Sequence, residues 1–161
     1  MLVNMSFLKY VTLVFIISSC QSSKSISSVN SGDENSYKVA SIKKTACYGS
    51  CPVYEMTIYS NLTVEFVGER FVDKIGKYTS RITQQNLQDI KESFSRNKFF
   101  DFEDEYSSFV SDLPTTFVYF SDGGKTKTVM DYTNAPEGLK NIEKLLEGFV
   151  DSLIWEEDQE D

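Results

Sequence analysis

Histidine is absent from all 161 residues. That absence excludes Ser-His-Asp and Cys-His catalysis, His-ligated zinc or copper, imidazole-ligated haem and c-type haem attachment. Positive charge is scarce: 16 Lys and Arg stand against 24 Asp and Glu, a net charge of -8, with no basic cluster. Such a chain is a poor partner for a phosphate backbone, which sets nucleic acid aside. Long hydrophobic runs are missing too. The N-terminal run Tyr10–Ile17 falls well short of the roughly 20 apolar residues that a membrane-spanning helix needs. What is present is a hydrophobic share of 40% and an aromatic share of 14%, enough for one packed domain rather than a disordered chain.

The N-terminus carries an address. Residues 1–19 hold no acid and one cation, Lys9, followed by the apolar run and then by small residues. This is the order of a secretory signal peptide, and Met5-Ser6-Phe7-Leu8-Lys9 makes an equally compact start. Ile17-Ser18-Ser19-Cys20 resembles a bacterial lipobox, whose cysteine is acylated and becomes the first residue of the mature protein. Cys20 is the expected lipidation site. Residues 20–36 then read as the lipidated cysteine and a Ser-rich tether, whose 16 residues from Gln21 to Ser36 span roughly 22 Å as a flexible coil. More than one acyl chain holds a protein stably where a single chain is reversible. Gln21 replaces the Asp that retains lipoproteins on the inner membrane, so the resemblance implies the outer membrane, facing the periplasm.

From Tyr37 to Ile154 the patterning is that of one α+β domain, with residues 155–161 as an acidic, solvated tail. Tyr54, Met56 and Ile58 alternate with polar residues, and Leu62, Val64 and Phe66 repeat the pattern, which predicts a hairpin. Register favours a three-residue loop with Asn61 in the left-handed region. A further strand, Phe71 to Thr79, is expected after a turn at Gly68-Glu69-Arg70, with Gly76 as a bulge. Thr83 reads as the N-cap of a helix with Leu87, Ile90 and Phe94 on its apolar face, ending near Asn97. Asp122-Gly123-Gly124 marks a second hairpin between Thr115–Phe120 and Lys125–Tyr132. Pro136 opens a closing helix whose stripe includes Leu139, Ile142, Leu145, Leu146, Phe149, Val150, Leu153 and Ile154. The expected architecture is an antiparallel sheet of about five or six strands with two helices on one face.

Chemistry concentrates at Cys47-Tyr48-Gly49-Ser50-Cys51-Pro52. Two cysteines four apart in an exported chain, with Gly49 to permit a tight turn, most simply form a disulfide that pins the loop between the first two strands. The alternative is thiol redox or Cu(I) handling. Cys-x3-Cys-Pro is similar to the copper site of the Sco-type chaperones, and two thiolates suit a soft Cu(I) ion, although no histidine completes the set. Asp101, Glu103, Asp104, Glu105 and Asp112 form an acidic stretch of calcium-loop length, but Tyr106 occupies the position where such loops need glycine. No metal site and no cofactor is expected. Tyr48, Tyr106 and Phe109 are the candidate binding aromatics, since Tyr and Phe are favoured at recognition surfaces.

The motif Cys-Tyr-Gly-x-Cys-Pro-x-Tyr carries a resemblance. Together with the hairpin, the mid-chain helix, Phe99-Phe100, Asp112-Leu113-Pro114 and the Ala135-Pro136 helix, it resembles an uncharacterised bacterial domain-of-unknown-function family common on envelope lipoproteins. The likeness covers Val39 to Ile154; members often carry Gly in the first hairpin turn, where this chain has Asn61-Leu62. It implies fold and location and adds no activity. The expected function is a lipid-anchored envelope domain without a catalytic centre, acting by binding an envelope partner or as a structural module. Metabolic labelling with a fatty-acid analogue is expected to tag the wild type and to miss Cys20→Ser. Equal labelling of both would refute acylation at Cys20.

Overall fold

Period-two alternation along the strands decides where the core lies, because successive side chains point to opposite faces. In the computed structural model the described residues are 35–109 and 111–158. The expected signal peptide (1–19), Cys20 and the tether up to residue 34 lie outside them. The elements run β1 (Lys38–Lys44), β2 (Val53–Tyr59), β3 (Thr63–Arg70), β4 (Gly76–Arg81), α1 (Gln84–Arg96), a 3-10 turn (Phe99–Asp101), β5 (Glu105–Tyr106), β6 (Thr116–Ser121), β7 (Thr126–Asp131), α2 (Glu137–Ser152) and β8 (Glu156–Glu157). The eight strands form one sheet in the order β5-β7-β6-β1-β2-β3-β4-β8.

Register aligns Tyr78, Phe66, Met56, Ile42, Val118 and Val129 in one row across six strands. Leu87, Ile90 and Phe94 of α1 and Leu139, Ile142 and Leu146 of α2 join that row in a single core. Both helices therefore cover the same face. The other face presents Lys43, Glu55, Glu65 and Thr128, with Glu55 bridged to Lys38 and Lys43 at 3.5 Å each. These half-exposed pairs contribute little to stability. Aromatic residues thicken the core: Phe94 stacks on Phe120 with ring centroids 4.2 Å apart, and Phe99 meets Phe94 edge-on at 4.9 Å.

Local chemistry sets the ends of the elements. Thr83 accepts from the Asn86 N–H through Oγ1 at 3.1 Å while its own N–H donates to Asn86 Oδ1 at 3.0 Å, a capping box that starts α1. Asp122 accepts from the N–H groups of Gly124 (2.9 Å) and Lys125 (2.7 Å), closing the β6–β7 hairpin. Those backbone bonds hold its carboxyl below the usual range.

Several sequence expectations shift. The sheet has eight strands instead of five or six, because the acidic loop and the acidic tail each add a two-residue edge strand. It is not wholly antiparallel, since β5 runs parallel to β7. Glu156 and Glu157 pair through their backbones with Thr79 and Tyr78 while their side chains stay exposed. The β2–β3 loop has the expected three residues, but Leu62 takes the left-handed conformation (φ 70°), and the Asn61 carbonyl Oδ1 instead accepts from the Thr63 N–H at 3.1 Å. Gly68, Glu69 and Arg70 lie inside β3, and the turn falls at 71–75, with Phe71 at φ 54°. Gly76 (φ 107°) begins β4 opposite Gly68. Ile154 ends the α2 stripe exposed, whereas Trp155 packs against Phe66 at 5.3 Å.

That connection folds closely over the sheet. A Cβ on Gly68 would stand 1.9 Å from the Lys74 carbonyl oxygen. Gly68→Ala is expected to destabilise the domain by about 2 kcal/mol or more, because backbone must move to admit the methyl. Chemical denaturation checks this, and an unchanged midpoint would contradict the close approach.

Candidate functional site

Strand directions place four connections at one end of the sheet: 45–52, 71–75, 107–115 and 132–136. The first is held by a disulfide between Cys47 and Cys51, whose Cα atoms lie 5.7 Å apart. Inside it the Gly49 N–H donates to Cys47 Sγ at 3.2 Å. The loop is laced to its neighbour. Thr45 N–H donates to the Thr115 carbonyl (3.0 Å), Thr115 N–H donates to Thr45 Oγ1 (3.0 Å), and Tyr48 N–H donates to the Asp112 carbonyl (3.4 Å). Leu113 N–H in turn donates to the Tyr132 hydroxyl at 3.3 Å.

These loops expose apolar side chains at their tips. Tyr48 is 91% exposed and Phe109 is fully exposed, with Phe71, Ile75 and Leu113 also open to solvent. The four connections hold three charged residues, Asp73, Lys74 and Asp112, so this end carries little charge in an otherwise acidic chain. Of the three candidate aromatics, Tyr48 and Phe109 stand exposed. Tyr106 does not. Its β5 pairing with β7 draws it half inside, its ring meets Phe102 edge-on at 6.4 Å, and its hydroxyl accepts from the Glu103 N–H at 3.1 Å. Phe71 and Ile75 carry no such signal in the sequence, where their spacing fits the expected strand from Phe71 to Thr79.

The acidic stretch scatters. Asp101 ends the 3-10 turn, Asp104 pairs with Lys127 at 3.0 Å, Glu105 sits exposed in β5, and Asp112 takes φ 72° in its loop. Among the described residues no group of three or more His, Cys, Asp or Glu is placed to hold a metal ion. The bridge lies between two strands and Pro52 leads into β2, so neither sulfur benefits from a helix N-terminus that would lower a thiol pKa.

A second polar cluster lies just inside the same end. Tyr54, Lys44, Thr116 and Asp131 form one cross-strand row on the helix face, two residues along from the apolar row. Helix α2 crosses above it. Lys44 pairs with Glu147, and Lys140 Nζ binds both Asp131 Oδ2 and, at 3.0 Å, Glu143 Oε2. Asp131 is 3% exposed and Glu143 5%, and their other oxygens, Oδ1 and Oε1, have no hydrogen-bond partner. The signal for Glu143 was present in the sequence: it falls at i+4 on the stripe Leu139, Ile142, Leu146, a polar residue at a core position.

Residues 38–150, from the start of β1 almost to the end of α2, match a family model described as Domain of unknown function (DUF6438). The chain belongs to that family. No curated protein matches it. The DUF6438 span includes the disulfide loop, the other three connections and the buried Asp131–Lys140–Glu143 cluster alike.

Replacing both Cys47 and Cys51 with Ser is expected to lower the stability of this DUF6438 domain by about 2 kcal/mol, the loop-closure contribution of a five-residue ring. Thermal unfolding measures the loss. Two free thiols in unreduced wild-type protein would overturn the assignment of the bridge.

Proposed function

We propose that this protein is a lipid-anchored domain of the cell envelope, held in the outer membrane facing the periplasm, that acts by binding a partner and catalyses nothing itself. The anchor rests on Lys9, the apolar run and Ile17-Ser18-Ser19-Cys20, and the membrane assignment on Gln21. The observation that carries the binding role is the set of exposed apolar tips, Tyr48, Phe71, Ile75, Phe109 and Leu113, gathered on loops at one end of the sheet. The disulfide and the hydrogen bonds between 45–52 and 107–115 hold two of these loops in place, so contact costs little ordering entropy. Exposed aromatics on a braced backbone suit the apolar centre of a recognition patch.

β1 enters the sheet at Lys38, at the end opposite the disulfide loop, so Tyr48 and Phe109 lie at the other end of the sheet from the start of β1. The low charge of the loop end favours a neutral protein surface over a cationic one.

The test is co-purification of the native lipoprotein with its envelope partners after mild cross-linking. Tyr48→Ala and Phe109→Ala are each expected to weaken association about tenfold or more, the size of a buried aromatic anchor. Thr128→Ala, on the open sheet face, is expected to leave it unchanged. Association unaffected by both aromatic truncations would remove the proposed face.

A further inference from the structure

The Asp131–Lys140–Glu143 cluster has one more buried carboxyl than its single ammonium can neutralise. Lys140 lies half in solvent and binds one oxygen of each acid, while Asp131 Oδ1 and Glu143 Oε1 are buried with no donor from the protein. Both carboxyls bind the same Nζ, so they are held as neighbours in the core. Two ionised carboxylates on one ammonium would leave a net negative charge in the core, which is costly without a partner.

We propose that Asp131 and Glu143 share one proton, and that this proton is a pH-sensitive latch fastening the first half of α2 to the end of β7. Every charged group facing the latch is consistent with it. From α2 come Lys140 and Glu147, from β7 Asp131, from β1 Lys44, and from β2 Tyr54. Lys44 is engaged by Glu147, so it does not serve as a second cation for the pair. Burial and then the acids Glu147, Asp151 and Glu143 push the Tyr54 hydroxyl up, so it stays neutral. Burial pulls Lys140 down, but its bonds to the two carboxyls outweigh this and hold it charged. Burial pushes Glu143 up to about 7, against the lowering by Lys140 and with the Asp131 charge adding to the rise.

The sign follows from where the proton sits. Between the ordinary value of 4.5 and about 7 the folded chain keeps a proton that the unfolded chain has lost. The latch is therefore fully closed below that window and loses its contribution as the pH rises through it. Loosening starts at a defined corner. Asp131 pairs with Tyr106 of β5, whose chain continues into 107–115, and it precedes the 132–136 connection to α2. The absence of histidine makes this readable, since histidine is the side chain whose ordinary value lies between pH 5 and 8.

The test follows the full chain in detergent from pH 5 to 8. The wild-type folding equilibrium is expected to weaken on the order of a hundredfold across that range. Glu143→Gln, whose amide is neutral and carries donor hydrogens at every pH, is expected to give a flat profile. Parallel profiles in the two proteins would overturn the proposal. Carbon-13 titration of the wild-type carboxyls decides independently should the variant not fold: one carboxyl with its midpoint near 7 supports the shared proton, and all carboxyls titrating in the ordinary acidic range overturns it.

Discussion

The row formed by Tyr78, Phe66, Met56, Ile42, Val118 and Val129 crosses six strands, and both helices close over it. Removing each large side chain in such a row from water is worth about 1.5–3 kcal/mol, and a slip of one residue in any strand would turn its whole set to solvent. The remaining register follows from this. Once Ile42 and Met56 face the helices, Lys44 and Tyr54 must face them as well, and Lys43 and Glu55 must face away. The polar row beneath α2 is thus a geometric consequence of the apolar row beside it.

That consequence explains why buried charge appears where it does. Lys44 and Asp131 are placed on the helix face by alternation, and α2 meets them with Glu147, Lys140 and Glu143 in place of further leucines. Buried ion pairs contribute little over an apolar substitute, yet removing one partner is costly. Such a cluster fixes the position of α2 more than it adds stability, and an unbalanced acid in it couples that position to protonation.

The ends of the sheet are managed differently. Its edges are two-residue strands, β5 and β8, too short to template pairing with another chain, and β8 carries Glu156 and Glu157 outward. The loop end is left apolar at its tips but braced by the Cys47–Cys51 bridge and its bonds to 107–115.

The Thr83 cap, the spacing of Leu87, Ile90 and Phe94, the Asp122-Gly123-Gly124 turn, the Pro136 helix start and the Cys47–Cys51 pairing are local, and each was legible because neighbouring residues decide it. The conformations of Leu62 and Phe71, the inward turn of Tyr106 and the strands β5 and β8 were not. They depend on which backbone lies alongside: β7 captures Tyr106, β4 captures Glu156 and Glu157, and Lys74 closes over Gly68. The exposed face of Tyr48 and Phe109 lay between these cases, with the aromatic residues visible in the sequence and their gathering at one end visible only in the topology. Sequence by itself determined the two helices and the β2–β3 and β6–β7 hairpins, because hydrophobic period and capping act over a few residues. Tertiary structure alone decided edge pairing and the meeting of Asp131 with Glu143, because those contacts join segments whose separation along the chain carries no local signal.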